Sequence, residues 1–547
     1  MLLASQTALA QVAPPSLPSQ SDISRSRVTL PPPETPDFDL RIQRPEKAPV
    51  ARAIDEVDFA VTRIRVDGAT AFPPDQVDAF FAPLIGTTVG LEALREAAAK
   101  LENLYARKGF FLTRVFVPPQ QVRDGVLTVR VIEGYIGDIY VEGMDQRSRA
   151  SVQAMLAPLL KRKPIDLAAV ERRLLILNDL PGMSGTSVLR PGADLGASDL
   201  VVTLAKPRDL YQAAINNSGS KILGPWSYSA IPTINRPLSL PGTMVLGVSA
   251  GGRNIEAVRS ASLRYSAPIG TGGLIASFGG VIARSKPAGS LRPLEIQSDL
   301  TSVSLRSRYP LVRGREHSLF LEAGLSINRF VTDILGQRIV DDRTTVGDIG
   351  LIYQQNGWLN GSTTIAVSLL QGLPILGAMD KSAPLPSVLA FDPGFTRITY
   401  ALQRAQRLPQ GFSSLIALQG QYTSSKLLAG ELISFGGPSI GRGYDPSAIT
   451  GDRGIGGLVE VRRDVRLKTW GLYAAQPYVF ADAARARTLA TATGRQSTER
   501  MHSIGAGVRL FHAHGSIDAQ IADAGRKLGG SDERRNPRIL ISTSIVF

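Results

Sequence analysis

The sequence predicts two small α+β modules followed by a transmembrane antiparallel β-barrel of about 16 strands. Residues 59–205 contain an internal repeat, and the chain from Tyr211 onward alternates apolar and polar side chains with period two. The last residue, Phe547, closes an apolar strand face. Charged residues such as Glu322 and Arg509 stand in the middle of polar strand faces, which favours a barrel with a wet lumen over a soluble sandwich.

The composition limits the classes of function. The 547 residues carry a formal net charge of +14, with 43% hydrophobic and 20% charged residues, and this excludes a disordered chain. Cysteine is absent, so disulfide scaffolds, cysteine-ligated zinc, iron–sulfur clusters and thiol nucleophiles are excluded. Basic residues are scattered along the chain, and we therefore expect no nucleic-acid partner.

The first 57 residues are predicted to precede the folded part. Residues 1–10 end in the small-x-small pattern of a signal-peptidase site, and we interpret them as the remnant of a secretory signal. Residues 11–57 are predicted to be an extended linker, because nine prolines lie between positions 11 and 50. Whether this linker contains a plug helix stays open.

The repeat predicts two modules, at 58–134 and 135–207. Each is expected to run strand–helix–helix–strand–strand, with two helices on one face of a three-stranded sheet. Apolar residues recur three and four positions apart in the longer helix of each copy, as on a buried helix face. They are Leu91, Leu94, Ala98, Leu101 and Leu104 in the first copy and Leu167, Val170, Leu174, Leu177 and Leu180 in the second.

The first module is predicted to have a free strand edge. If its last two strands form a hairpin and its first strand pairs with the last, the segment 111–117 lies at the edge of the sheet. An extended chain could then add a strand there by backbone pairing. The alternative is that the modules only act as spacers. The candidate partner-binding residues are Phe111, Leu112, Thr113, Arg114, Val115, Phe116 and Val117.

Residues 208–547 are predicted to form the barrel. At about 20 residues per strand and connection, this length corresponds to about 16 strands. A barrel of that size leaves a channel rather than a filled core.

Several motifs resemble a known family. The segment 435–444 (FGGPSIGRGY) resembles the conserved loop of the two-partner secretion transporters, the TpsB family that includes FhaC and ShlB. The segment 478–482 (YVFAD) resembles its Phe-x-Asp strand motif, and 131–136 (VIEGYI) resembles the junction of its two periplasmic POTRA modules. Gly441 and Ala484 depart from the family pattern, in which valine and glycine are usual.

The resemblance implies a site in the lumen. A loop around 436–455, carrying Arg442, Gly443 and Tyr444, is expected to fold inside the barrel, where Arg442 pairs with Asp482. The alternation agrees, because Asp482 shares a face with Phe480 while the opposite face carries small apolar residues suited to lipid. A buried carboxylate needs a partner, and arginine offers bidentate geometry. The loop could be a moving gate or a static clamp.

The resemblance also implies a function. The chain is expected to bind an unfolded, TpsA-like secreted protein through its POTRA modules and to export it through the barrel without ATP. It is expected to be a monomer in contact with lipid in the outer membrane of a Gram-negative bacterium, with the modules in the periplasm. The alternative is an assembly factor like BamA of the same superfamily, which has five such modules rather than two.

We expect no enzyme, cofactor or metal site. The segment 437–441 (GPSIG) matches the G-x-S-x-G nucleophile elbow, but Gly443 and Pro446 interrupt the helix that this elbow requires. His512 and His514 would share one strand face, yet two histidines do not complete a metal site. The sequence contains no P-loop, H-E-x-x-H or Rossmann fingerprint.

Overall fold

The computed structural model describes residues 40–42, 58–252, 257–287, 289–469, 471–490, 494–525, 528 and 537–547. In these ranges the chain forms two α+β modules and one closed barrel. None of the described helices is long and apolar enough to cross a membrane. The predicted signal remnant at 1–10 and most of the predicted linker lie outside the described residues.

The first module has the predicted element order around one core. A three-stranded sheet runs in the order β3–β6–β5, with β3 parallel and β5 antiparallel to β6. Helix α2 buries Leu94, Leu101 and Tyr105 against this sheet. The described chain runs β1 (Leu40–Ile42), β2 (Phe59–Ala60), β3 (Arg63–Asp67), α1 (Pro74–Asp78), β4 (Thr88–Val89), α2 (Leu91–Arg107), β5 (Arg114–Phe116) and β6 (Val126–Ile132).

The second module repeats this plan and gains a strand from the linker. Asp145 and Asp166 cap its two helices, since each side chain accepts a backbone N–H of the first turn. Strand β1 pairs in parallel with β8, so linker residues 40–42 cover that edge of the sheet. The elements are β7 (Tyr135–Glu142), α3 (Gln146–Leu156), α4 (Leu167–Asn178), β8 (Ser184–Pro191) and β9 (Ala197–Ala205), and the sheet order is β1–β8–β9–β7.

The barrel is closed by antiparallel pairing of its first and last strands, β10 and β28. Strands β23 and β24 both pair with β25 and form one strand interrupted at Asp464, so the closed sheet has 16 strands, as predicted. The strands are β10 (Leu210–Asn216), β11 (Ser227–Asn235), β12 (Thr243–Gly251), β13 (Val258–Ile269), β14 (Leu274–Ser285), β15 (Gln297–Arg313), β16 (His317–Ile334), β17 (Gln337–Asn356), β18 (Gly361–Gly372), β19 (Thr396–Arg407), β20 (Phe412–Thr423), β23 (Arg453–Arg463), β24 (Val465–Thr469), β25 (Leu472–Thr488), β26 (Ser497–His512), β27 (Gly515–Ala524) and β28 (Arg538–Val546), and a loop after β20 contains β21 (Ile433–Phe435) and β22 (Ile449–Gly451).

The second module is fastened to the barrel turns on one side. The Arg313 guanidinium binds both carboxylate oxygens of Asp179, at 2.6 and 2.8 Å. Arg172 donates to the backbone carbonyls of Pro310 and Leu311 at 3.0 Å. These contacts identify the end of the barrel that faces the modules.

The predicted edge segment 111–117 is shorter in the structure. Only Arg114–Phe116 forms a strand. The chain after α2 first closes the helix with a turn, in which the Phe110 N–H donates to the Tyr105 carbonyl and the Thr113 N–H to the Phe110 carbonyl. Phe111 and Leu112 therefore pack against the core of the second module rather than along the edge.

Candidate functional site

The loop between β20 and β23 packs against the inner wall of the barrel. Its two short strands, β21 and β22, pair with each other. Apolar side chains of the loop form one buried cluster with residues of β23, β25, β26 and β27, namely Ile433, Phe435, Ile440, Tyr444 and Ile449 with Leu458, Tyr478, Phe480, Ala484, Ala486, Met501 and Ala522. The loop therefore occupies the lumen, where the family resemblance implied it.

A single buried carboxylate, that of Glu460, collects three arginines. Its Oε2 lies 2.8 Å from Nη1 of Arg442 on the loop. Its Oε1 lies 2.6 Å from Nε of Arg462 and 2.7 Å from Nη1 of Arg509, both on the wall. The Glu460 side chain has no exposed surface, and these four residues are here called the Glu460 cluster. Arg509 links the cluster to Asp518, at 3.2 Å.

The prediction that Arg442 forms an ion pair with Asp482 is wrong. Asp482 instead accepts the backbone N–H of Arg442 at 3.3 Å and the hydroxyl of Ser503 at 2.5 Å. Asp482 thus holds the loop through its main chain, while the guanidinium binds elsewhere.

Strand register explains this division. Phe480 lies directly across from Glu460, and Asp482 lies directly across from Leu458. The Arg442 backbone is held beside Asp482, and its long side chain passes over the Phe480 ring, 4.3 Å from the ring centroid, before it reaches Glu460. The short aspartate side chain reaches only the backbone, whereas the guanidinium lies about one residue pair further along the wall.

Two glycines permit the close approach of loop to wall. At Gly441, which has a φ of +89°, a Cβ atom would lie 2.2 Å from Cε of Met501. The Met501 side chain can move aside, but valine, the usual family residue, would strain the backbone here because β-branched residues rarely adopt a positive φ. At Gly443 a Cβ would lie 2.8 Å from the backbone nitrogen of Ala524 on β27.

The loop tip also contacts both sides of the barrel seam. The Tyr444 hydroxyl donates to the carbonyl of His502 at 3.2 Å. Arg538, the first residue of the last strand, donates to the Tyr444 carbonyl and forms an ion pair with Asp445 at 3.3 Å. On the other side of the seam, Asp445 accepts the backbone N–H of Lys221, which follows the first strand, at 3.1 Å.

The edge of the first module lies beside a groove. This edge groove separates α2 from β5 and has a volume of about 320 Å³. Its lining is mixed: Val115, Phe116 and Val117 lie on one side, and the helix contributes Ala98 and Ala99 together with the polar residues Arg95, Glu102 and Asn103.

The backbone at this edge is guarded by a side chain. The Val115 N–H, which points away from β6, donates to Oε2 of Glu102 at 2.9 Å. The other oxygen of Glu102 accepts from Nη1 of Arg114 at 2.7 Å. The expectation of an unpaired edge is therefore wrong at Val115, where a carboxylate occupies the position that a strand carbonyl would take.

The sequence did not single out several of these residues as site residues. Arg509 was expected on a polar strand face, but nothing in the local sequence indicates that it shares a cluster with Glu460 and Arg462. Glu102 is an ordinary helix-surface residue by its pattern. Only its place on α2 opposite residues 114–116 could have indicated its role, and that placement cannot be known before the position of the edge strand beside α2 is known.

Two family models match this chain, one over the first module and one mainly over the barrel. Residues 196–510 match the model of a family described as haemolysin secretion/activation protein ShlB/FhaC/HecB, and residues 59–134 match the POTRA domain, ShlB-type. The heme/hemopexin transporter protein HuxB of Haemophilus influenzae is 22% identical over 432 residues, which cover 77% of this chain and 75% of HuxB.

Solved structures share the fold. CdiB from Escherichia coli superposes with a TM-score of 0.71 at 19% identity, covering 92% of this chain and 93% of CdiB. BamA from Haemophilus ducreyi lacking POTRA domains 1–3 gives a TM-score of 0.51 at 13% identity, covering 89% of this chain and all of that one. At these identities the likeness concerns the fold alone.

Proposed function

This chain belongs to the ShlB/FhaC/HecB family of haemolysin secretion/activation proteins, and we propose that it captures its unfolded secreted partner at the edge groove of its first POTRA module. It is an outer-membrane transporter of the two-partner secretion class, with its modules in the periplasm.

The geometry of the edge groove carries the proposal. Strand β5 is paired with β6 on one side only, and its other side faces the groove. An extended peptide placed there would gain backbone hydrogen bonds irrespective of its sequence and could seat alternate apolar side chains against Val115 and Val117. This mode suits an unfolded partner, which presents backbone rather than a fixed surface.

Glu102 occupies the edge of the groove when no partner is bound. Its carboxylate binds the Val115 N–H that the partner would need, so the partner's carbonyl has to displace it. In the second module, the corresponding edge strand β8 is already paired with linker residues 40–42. These two observations favour the first module as the initial docking site.

In the lumen, we propose that the Glu460 cluster holds the loop at a fixed position on the barrel wall, and that export depends on this position. Arg442 is the member of the cluster that belongs to the loop, and its Nε is buried with no hydrogen-bond partner among the described residues. An unsatisfied buried donor costs about 1–3 kcal/mol, so this contact is less favourable than a fully bonded one. Release of Arg442 would leave Arg462 and Arg509 still bound to Glu460.

A site-specific crosslink tests the docking proposal. A photoreactive residue at Phe116, which is 39% exposed on the groove edge, should crosslink to the secreted partner during export. The matched control is Tyr140, which is 43% exposed on the edge strand β7 of the second module. Equal crosslinking at both positions, or none at Phe116, would contradict docking at the first module.

The alternative function is the insertion of other barrels into the membrane, as by BamA. Its only support is the similarity of the fold. The number of modules described here, two, and the family match favour export. Depletion of the chain should therefore abolish release of its secreted partner while other outer-membrane barrels keep their normal abundance.

A further inference from the structure

Four arginines form a compact patch on the outer surface of the barrel. They lie on three adjacent strands, β23, β25 and β26. Arg453 lies directly across from Arg487, and Arg485 lies directly across from Arg500. We call these four residues the arginine patch.

The alternation of the strands places the patch on the outward face. On β25 the side chains of Asp482, Ala484 and Ala486 are buried toward the lumen, so Arg485 and Arg487 point the other way. On β26 Met501 and Ser503 are buried inward, and Arg500 is exposed. The side chains therefore leave the barrel where it meets the surrounding membrane.

The patch lies at the border of the membrane-facing surface that is farther from the modules. On β25 the outward positions between Tyr473 and Arg485 carry small or apolar residues, including Val479. These twelve steps span about 40 Å along the strand and about 30 Å along the membrane normal at the usual strand tilt. The apolar band of such barrels is about 25 Å tall, so Arg485 lies at the level of the outer-leaflet headgroups.

Among the described residues, no carboxylate neutralises the charges of the patch. In the described part of the chain, no carboxylate lies within 4 Å of any of the four guanidinium groups. Arg487 donates to the Gln496 side chain, and Arg453 donates to the carbonyl of Thr423 and stacks 4.5 Å from the Tyr422 ring centroid. Like charges directly opposite each other on neighbouring strands destabilise a sheet, and this patch contains two such pairs.

A second group of outward arginines shows how the same barrel solves this problem elsewhere. Arg284 binds Asp299 at 2.6 Å, and Arg329 and Arg343 both bind Asp341 at 2.9 Å. These residues also stand just beyond the apolar outward positions of their strands, such as Ile282. Both groups lie at the same level of the membrane, and among the described residues only the second group has carboxylate partners.

We propose that the arginine patch binds the phosphate groups of the phosphorylated glycolipid, lipopolysaccharide, that forms the outer leaflet of this membrane. Guanidinium groups bind phosphate oxygens in bidentate fashion, and the two opposed pairs can each hold one phosphate between them. The acyl chains would then lie against the apolar surface below, formed by Val479, Ile455 and Ile504. The site anchors strands β23, β25 and β26, which carry the Glu460 cluster on their inner face.

The test measures binding of purified deep-rough lipopolysaccharide to the full chain in nonionic detergent by native mass spectrometry. The double variant R485Q/R500Q removes two charges without touching the lumen, and its affinity should fall about tenfold or more. The matched control R284Q/R329Q removes two outward charges that have carboxylate partners, and it should change affinity less than about threefold. The retention of charge in R485K/R500K should preserve an intermediate affinity.

Several results would overturn the proposal. Unchanged affinity in R485Q/R500Q, with normal heat-modifiable migration showing that the barrel is folded, would exclude the patch as the site. An equal loss in R284Q/R329Q would indicate a general charge effect. Equal competition by the same concentration of inorganic phosphate would assign the patch to free phosphate. Crosslinking of Arg500 variants to the secreted partner, without lipopolysaccharide binding, would assign it to a protein.

Discussion

The guanidinium of Arg442 lies 2.8 Å from the carboxylate of Glu460, whereas the carboxylate of Asp482 accepts the Arg442 backbone N–H. Two acidic residues on neighbouring strands thus hold the same loop residue by different groups. Asp482 fixes the position of the loop backbone, and Glu460 fixes the side chain that the loop extends along the wall.

Replacing Glu460 by glutamine should impair export more than replacing Asp482 by asparagine. E460Q leaves three arginines without their shared counter-ion, and breaking a buried ion pair typically costs about 3–5 kcal/mol. D482N keeps an oxygen that can accept the Arg442 N–H. We expect released partner to fall at least about tenfold in E460Q, measured against the amount of heat-modifiable barrel. A larger defect in D482N would reverse the assigned roles.

Exchanging the charges of Arg442 and Glu460 should not restore export. The variant R442E/E460R places an arginine beside Arg462 and Arg509, which both bind Glu460 in the native protein. Like charges in a buried site repel strongly. Export by the double variant should therefore be no better than by R442A, and partial rescue would show that the pair acts alone.

Introducing the usual family residue at position 441 should loosen the loop. In G441V a Cβ would lie 2.2 Å from Met501 and the backbone would keep a positive φ that valine avoids. We expect loop residues 436–448 to become more sensitive to protease in detergent. The control G457A lies on β23 where a Cβ meets ordinary contacts of 3.4 Å or more, and it should leave the loop protected.

Removing the Glu102 carboxylate should strengthen partner binding. In E102A the Val115 N–H becomes available to an incoming strand, and hydrogen bonds to charged groups contribute about 1.5–3 kcal/mol. We expect the full chain to bind the amino-terminal region of its secreted partner up to about tenfold more tightly. N103A, at a neighbouring groove residue, serves as the control. Weaker binding by E102A would mean that the carboxylate contacts the partner directly.

The contribution of Glu133 to the stability of the first module should depend on pH. Burial by itself raises the pKa of Glu133, but hydrogen bonds from Thr70, Tyr105 and Ala71 outweigh it and hold the pKa below its ordinary value. A depressed folded-state pKa stabilises the module above the unfolded pKa of about 4.3, and this contribution is lost as pH falls through the folded value.

Hydrogen exchange of residues 58–134 in the full chain measures this effect. E133Q should exchange faster than the native chain at pH 7, after correction for intrinsic rates, and the difference should shrink below about pH 4. A difference that grows on acidification would show that Glu133 is protonated in the folded module.

Much of the fold could be predicted from the sequence because it depends on local patterns. The repeat predicted two modules of like element order, and helix α2 was predicted because its apolar residues between Leu91 and Leu104 follow the helical period. The apolar–polar alternation and the length of the region predicted about 16 strands. The alternation of side chains along 478–482 predicted that Asp482 faces the lumen. Local spacing determines which face a side chain occupies.

The tertiary structure decided which of these side chains meet. Asp482 and Glu460 both face the lumen, and only the pairing of β23 with β25 places Glu460 across from Phe480, under the Arg442 side chain. Glu102 reaches Val115 only because β5 begins after a turn at 110–113. The contact partners of a charged residue depend on strand register, and the register of β23 against β25 follows from the hairpin in which Thr469 pairs with Leu472 and from the register shift between Arg466 and Thr469, rather than from the residues near each charge.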